Sequence, residues 1–409
     1  MPNHIVGLDI GSHSIKAIIG ELKKDGKLEL IDILKYPSAG LMRGVVHDIS
    51  DMTQALSEPL NQIKNISKSA ISNIYLGIGS NDMKVHPSIG VVAVSRADYE
   101  IYEDDIKRAK QSAQAINIPP NRMVMHSIVK EFVVDGVRDI RDPLGMIGNR
   151  LEVNSIIIDA FIPSVKNISK CVEMLGGGLK DLIISPLAGA RATLNKNQKE
   201  LGVVLVDIGF GKTSICVYEE NKLLHTHILP VGSRDITNDL AIGLKIPVEV
   251  AETIKFSFGS ALPKEISARE TVDLTRIDAK LKGSISKKFI AGIIEARLAE
   301  IFELVDNELK SIGVSMKLPS GVVLAGGGSK IPGIVDLARQ ELKLSAQICL
   351  PNPTPLYSRT DGHSEQLEDP EFIVALGLIL WGYDRTVEKK QINVPLKGML
   401  KKIFGYFNP

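Results

Sequence analysis

The chain has 409 residues, with 49 Lys+Arg against 48 Asp+Glu, a formal net charge of +1 and 44% hydrophobic residues. That balance excludes wholesale disorder, collagen-like and mucin-like chains, and a nucleic-acid binder that works through a broad basic face. Only Cys171, Cys216 and Cys349 are present, far apart and odd in number, which argues against a disulfide framework or a cysteine zinc site and leads us to expect a reducing, cytosolic location.

In chain order, Ile5 to Ile10 predicts a strand that ends at Gly11, and Ile15 to Leu22 resumes after a short turn. A polar Asp-Gly turn at Lys23 to Lys27 leads into Leu28 to Leu34, completing a three-strand meander. Ile49 to Ile66 sets Met52, Leu56, Leu60, Ile63 and Ile66 at helical spacing, and Asn73 to Gly79 predicts a further strand. From about Met83 to Ile162 an extra block reads as strand (Gly90 to Ser95), helix (Tyr99 to Ala115), strand (Met123 to Val134) and strand (Leu151 to Ile162). This order suits a small α+β subdomain, with plain continuation of the first sheet as the alternative. Its Glu103-Asp104-Asp105 cluster opens a helix, where the macrodipole accounts for it.

The opening pattern begins again at Leu201. GVVLVDIG, TSICVYEE and KLLHTHILP predict three more strands, and helical patterns follow at Ser233 to Leu244, Pro247 to Phe258 and Ser286 to Ile312. GVVLAGG at 321 to 327 is a strand and a helix is expected from Ile331. Two related halves are indicated, each opening on a strand that ends in Asp-Ile-Gly. The longest apolar run, Phe372 to Trp381, is too short for the roughly 20 residues of a bilayer span and predicts a core helix. The opening MPNHIVGLDIG lacks the basic and apolar regions of a signal peptide.

Three segments carry chemistry. In the first, Asp9 at a strand end precedes Gly11, Ser12, His13 and Ser14 in a tight hairpin. Exposed N–H groups there can cradle phosphate oxygens while the carboxylate holds Mg²⁺, and Lys16 adds a point charge. In the second, Asp207 precedes Gly209, Phe210, Gly211, Lys212 and Thr213 at the matching point of the second meander. Its glycines permit close approach to a phosphate, and Thr213 is expected to donate a hydrogen bond. In the third, a buried strand breaks into Gly326, Gly327, Gly328 and Ser329, then a helix whose first turn is expected to contain Pro332. Each alone is also explained as a surface hairpin or a packing turn; the recurrence at matched positions favours a polyphosphate clamp.

Together and in this order the three segments resemble the phosphate-1, phosphate-2 and adenosine motifs of the actin/Hsp70/sugar-kinase ATPase superfamily, over almost the whole chain. The resemblance implies an α/β, actin-like ATPase fold with two related lobes around a nucleotide cleft, and ATP with Mg²⁺ as ligands. It implies that Asp9 and Asp207 flank the metal, that Gly11 to Ser14 with Lys16 and Gly209 to Thr213 hold phosphates, and that Gly326 to Ser329 lie beside the adenosine, with Gly232 also at the nucleotide. Within the superfamily, Ile236-Thr237-Asn238-Asp239-Leu240-Ala241-Ile242-Gly243-Leu244 and Ala251-Glu252-Thr253-Ile254-Lys255-Phe256-Ser257-Phe258-Gly259 look like the FtsA family of bacterial cell-division proteins. The resemblance gives Glu252 and Lys255, one helical turn apart, to the ribose; the plain alternative is an i,i+3 ion pair. Superfamily members that hydrolyse ATP briskly offer a Glu or Gln before the second half, and Ile184 to Ala190 has none. Phe210 and Lys212 also depart from the usual DIGGGTT, and Ser233 stands where a second Gly normally follows Gly232, so weak or switch-like hydrolysis is expected.

The C-terminal sequence changes character. After a polar stretch, 385 to 393, Leu396, Met399, Leu400, Ile403, Phe404 and Phe407 recur on one helical stripe, with Lys397, Lys401 and Lys402 outside it. Such a helix suits a membrane interface with its lysines toward anionic headgroups; docking on the core is the alternative. Residues 389–409 hold five lysines and no acid, leaving 44 basic against 48 acidic residues elsewhere, so the near-neutral total hides a basic tail. The FtsA family similarly ends in a linker and an amphipathic membrane-targeting helix. The expected organisation is 1–82, first lobe; 83–162, inserted interaction subdomain; 163–195, first lobe again; 196–357, second lobe; 358–384, return to the first lobe; 385–393, linker; and 394–409, membrane helix. The likeness implies a protein on the cytoplasmic face of the bacterial inner membrane at the division site, which self-associates into filaments and anchors the tubulin-like polymer FtsZ. It also implies contacts with other division proteins through 83–162, and no nucleic acid. A PilM-like pilus-assembly adaptor and a small-molecule kinase of the same fold are the alternatives.

Overall fold

The computed structural model describes residues 3–357 and 364–392. β1 (Asn3–Ile10), β2 (Ser14–Leu22) and β3 (Leu28–Pro37) form an antiparallel meander. Seven consecutive residues of β2 are buried, so this sheet is covered on both faces rather than alternating apolar and polar. α1 (Ile49–Ile66) starts where Asp48 accepts the N–H of Asp51 at 2.9 Å, and it buries Met52, Leu56, Leu60 and Ile63. β4 (Ile74–Ile78) then lies parallel to β1.

The chain next leaves for the inserted block: β5 (Lys84–Ala93), α2 (Glu103–Gln114), β6 (Arg122–Val134) and β7 (Arg150–Phe161). β7 lies between β5 and β6, and a short strand, Val137–Ile140, extends the sheet beyond β6. Ile101, Ala109 and Ala113 pack with Phe132, Val134, Leu151 and Val153 in a core of the block's own. It is therefore an α+β subdomain and not a continuation of the first sheet. β5 begins six residues before the expected Gly90, pairing back to Lys84 opposite Asp159. Pro87 reads as a breaker, but β5 is an edge strand, where a missing N–H can face away from the ladder. α2 begins at Glu103, later than expected, because Tyr102 is extended and its N–H is taken by Asp105 at 3.0 Å. Within the block the fully buried Asp159 is held by Arg122 Nε at 2.8 Å and His86 Nε2 at 3.0 Å.

α3 (Ile162–Met174) leads to β8 (Leu179–Ile184), which joins the first sheet parallel to β4, and to α4 (Ser185–Thr193). The second half repeats the first. β9 (Val203–Ile208), β10 (Thr213–Glu219) and β11 (Lys222–Leu229) form an antiparallel meander. α5 (Ser233–Leu244), α6 (Val248–Phe258) and α7 (Lys287–Ser311) follow, then β12 (Val322–Ala325), α8 (Ile334–Leu342) and β13 (Ala346–Ile348). β14 (Leu356–Tyr357) returns to the first sheet beside β3. The orders are β8-β4-β1-β2-β3-β14 and β11-β10-β9-β12-β13. In each, a three-strand meander receives two parallel strands on the free side of its first strand, as the repeated Asp-Ile-Gly suggested.

α9 (Ile373–Ile392) carries the long apolar run, buried from Ile373 to Trp381. It continues through 385–392, where a linker was expected, because that stretch holds neither Gly nor Pro and is rich in good helix formers. The membrane-helix residues 394–409 lie outside the described residues. The chain divides into two compact units, one of residues 1–81 with 168–383 and a second whose main part is Asp82–Asn167. Both meanders and the site below belong to the first unit.

Candidate functional site

The two meanders turn with the same geometry. Ile10 pairs with Ile15 and Gly11 N–H donates to the Ser14 carbonyl at 3.1 Å; Ile208 pairs with Thr213 and Gly209 N–H donates to the Lys212 carbonyl at 2.9 Å. Asp9 and Asp207 thus hold the same place, the penultimate residue of the strand before each turn. The tips meet, with the His13 and Phe210 ring centroids 4.8 Å apart.

A cavity of about 280 Å³ opens beside them. It is lined by Asp9, Gly11, Ser12, His13, Ser14 and Lys16 from the first hairpin and by Asp207, Gly209, Phe210, Gly211 and Lys212 from the second. Glu252 and Lys255 of α6 and Gly326, Gly327 and Gly328 after β12, also foreseen from sequence, line it as well. Gly326 has φ +80°, and a Cβ there would sit 2.3 Å from Asp207 Oδ1, so only glycine brings this turn against the carboxylate.

Three foreseen residues do not face the cavity. Thr213 is fully buried and its hydroxyl donates to the Val231 carbonyl at 2.9 Å, so it is not free to hold a phosphate. Ser329 is likewise turned inward, donating to the Gly326 carbonyl at 2.7 Å. Gly232 lies under the second hairpin, where a Cβ would come within 2.7 Å of the backbone of Gly209, Phe210 and Lys212; it supports the turn from behind. Pro332 lines the cavity but does not open a helix. The three glycines enter a tight turn, Gly327–Lys330, and α8 begins only after Gly333, whose φ is +79°.

Electrostatics set this site apart. Burial pushes the Asp207 carboxyl up to about 6, with the neighbouring Asp9 adding to the rise while Lys212 and Lys16 oppose it. Burial lowers Lys212 from its ordinary value, against the pull of Asp9 and Asp207, and its Nζ donates to the Gly79 carbonyl. Lys16 sits 3.8 Å from Asp9. Lys255 is also lowered by burial; it donates to Glu252 Oε2 at 2.7 Å and Thr237 Oγ1 at 2.8 Å, with its ammonium 5.2 Å from the Phe256 ring centre. The i,i+3 pair is therefore formed, and it sits on the cavity wall.

Sequence reasoning missed part of the rim. Lys35 of β3 and Lys330 each lie 2.7 Å from Glu371, and Lys330 is 2.6 Å from Asp369. Burial would raise the Glu371 carboxyl, but the hydrogen bonds from Lys330 and Lys35 bring it down to about 2. These residues come from three distant segments and carry no local pattern. Ser185, Ser233 and Phe256 also line the cavity; each lay inside or beside a segment already singled out.

Two copies of one sheet topology, meeting at paired Asp-x-Gly hairpins and a glycine turn, define an α/β protein of the actin-like ATPase fold. Solved structures agree on the fold. The PilM-PilN type IV pilus biogenesis complex is similar at TM-score 0.65 and 19% identity, over 93% of this chain and 98% of that one. MreB5 of Spiroplasma citri bound to AMPPNP is similar at TM-score 0.54 and 14% identity, over 96% and 98%. Residues 204–377 match the family described as cell division protein FtsA, and residues 80–159 match the SHS2 domain inserted in FtsA. Cell division protein FtsA of Pseudomonas aeruginosa is 34% identical over 390 residues, 95% of this chain and 92% of that protein. That of Bacillus subtilis is 35% identical over 374 residues, 91% and 82%. The chain belongs to the FtsA family of cell-division proteins. The pilus-adaptor and kinase alternatives are not favoured.

Proposed function

We propose that the chain binds Mg²⁺-ATP in this cavity and acts as the membrane-tethered, actin-like component of bacterial division, self-assembling and anchoring the FtsZ polymer to the cytoplasmic membrane. The observation that carries the nucleotide part is the meeting of Asp9, Asp207, Lys16, Lys212 and Gly326 around one cavity. These residues fit a metal-bound polyphosphate: a carboxylate pair that raises one of its own members is relieved by a divalent cation, and the glycine turns leave the main chain bare beside it. Asp9 and Asp207 would hold the metal; Gly11, Ser12, His13, Ser14 and Lys16, with Gly209, Phe210, Gly211 and Lys212, would face the phosphates. Glu252 and Lys255 would meet the ribose and Gly326 to Gly328 the adenosine. Thr213, Ser329 and Gly232 would support the turns from behind. Bound metal supplies charge neutralisation to the phosphates. Between Ile184 and Ala190 the cavity receives Ser185 and no carboxylate or carboxamide, which supports slow, switch-like hydrolysis.

Family membership supports the division role, with residues 83–162 as the surface for filament and division-protein contacts. No helix among the described residues is long and apolar enough to cross a membrane. The stripe of Leu396, Met399, Leu400, Ile403, Phe404 and Phe407 with Lys397, Lys401 and Lys402 supports an interfacial anchor. Co-sedimentation with anionic vesicles tests it, comparing the full chain with one ending at Ile392, the end of α9 rather than a point inside it. The full chain should pellet and carry FtsZ with it, and the shortened chain should stay in solution. Equal sedimentation of the two would sink the anchor.

A further inference from the structure

On the second sheet, away from the cavity, β11 is an edge strand. His225 and His227 are two residues apart on it, so both imidazoles project from one face. The residue between them, Thr226, is buried on the other side, its hydroxyl tied to the Ile215 carbonyl at 2.9 Å. Opposite stands Glu308 of α7, set among the buried Val305 and Leu309, so both elements are anchored in the core. Glu308 Oε2 lies 3.0 Å from His225 Nε2, and its Oε1 lies 3.8 Å from His227 Nε2. The rings stack within 8° of parallel, with centroids 6.2 Å apart. One ligand atom from each of the three side chains falls within 4.8 Å of the others, and all three remain open to solvent.

We infer that His225, His227 and Glu308 form a binding site for a divalent transition metal of the Zn²⁺ class, with water completing the coordination. Two imidazole nitrogens and one carboxylate oxygen make a donor set suited to Zn²⁺, Co²⁺ or Ni²⁺, whereas Mg²⁺ prefers an all-oxygen shell. Ligands of a tetrahedral Zn²⁺ at ~2.0–2.1 Å lie about 3.4 Å apart, so the three groups need only small side-chain rotations to close on an ion. A metal here fastens the exposed edge of the sheet to the C-terminal half of α7. None of the three residues lines the nucleotide cavity, so the two metals do not compete.

The test uses the untagged full chain, stripped with chelator and titrated with ZnCl₂ by calorimetry in the presence of excess Mg²⁺. The inference requires one saturable Zn²⁺ per chain and an unfolding temperature that rises with Zn²⁺ and falls again with chelator. His227→Gln and Glu308→Gln should each lower the affinity by at least ~10-fold. Glu308→Gln retains a hydrogen-bond acceptor for His225, so it reports on ligation even where the histidine variant folds poorly. Absence of saturable binding, or binding that both variants leave unchanged, overturns the site and leaves an ordinary His–Glu ion pair.

Discussion

The two hairpins place a lysine beside an aspartate by different routes. In the first, Lys16 lies directly across the ladder from Asp9, on a strand, and the pair is 3.8 Å apart. In the second, the residue across from Asp207 is Ser214, and the lysine has moved into the turn as Lys212, in the position that Ser14 occupies in the first. From the turn its Nζ donates to the Gly79 carbonyl, just after β4. At Asp207 burial and the field of Asp9 outweigh the opposing pull of Lys212 and Lys16, and its carboxyl rises to about 6. One backbone frame therefore supports two electrostatic roles: a paired carboxylate and a carboxylate short of positive charge. The second is the one a cation would relieve most.

That asymmetry can be broken experimentally. The largest effect is expected in Mg²⁺-ATP affinity, where Asp207→Asn should cost on the order of 10–100-fold and remove its Mg²⁺ dependence, measured by calorimetry. Asp9→Asn should weaken binding as well. If neither variant changes the affinity, the hairpins do not form the metal site. Next comes stability without nucleotide. Because the folded Asp207 carboxyl titrates above its ordinary value, its contribution is full at acid pH and is lost as pH rises through about 6. Asp207→Asn should therefore stabilise the apo-protein by roughly 1–3 kcal/mol near about pH 8, with the gain fading as pH falls from about 6 to about 4 in urea denaturation. A gain independent of pH would show that charge is not its cause.

Lys212→Met is expected to lower nucleotide affinity by about 10-fold, corresponding to about 1.4 kcal/mol for one charged contact. It should also move the Asp207 titration, followed by carboxyl NMR, further upward, since Lys212 holds it down. An unmoved titration would mean that Lys212 does not act on Asp207. The smallest effect separates the turn from its support: Thr213→Val should cost about 1 kcal/mol of stability through the lost bond to Val231, with nucleotide affinity unchanged. A drop in affinity at constant stability would restore Thr213 to the phosphate contacts.

Much of this site is readable in the sequence, for a local reason. Asp9 and Asp207 end strands whose apolar pattern is plain, and the residues after them suit turns, so carboxylate and bare main chain come together within a few positions. α5 and α1 were readable for the same reason, from apolar spacing and turn residues. Thr213 departs from the expected placement because a hydroxyl next to a glycine turn looks free in a sequence, whereas its strand position points it into the protein. Pro332 was misassigned because two glycine turns in succession, at Gly326 and Gly333, delay the helix by three residues.

By itself the sequence determined the repeated half, the two Asp-Ile-Gly hairpins, the inserted block and the basic tail, because each depends on neighbours a few residues apart. Only the tertiary structure decided which turn side chains face the cavity, how Lys35, Lys330 and Glu371 close its rim, and that His225 and His227 meet Glu308. It also decided the upward shift of the Asp207 carboxyl. Burial and Coulomb energy depend on distance through space, and chain order does not carry that distance.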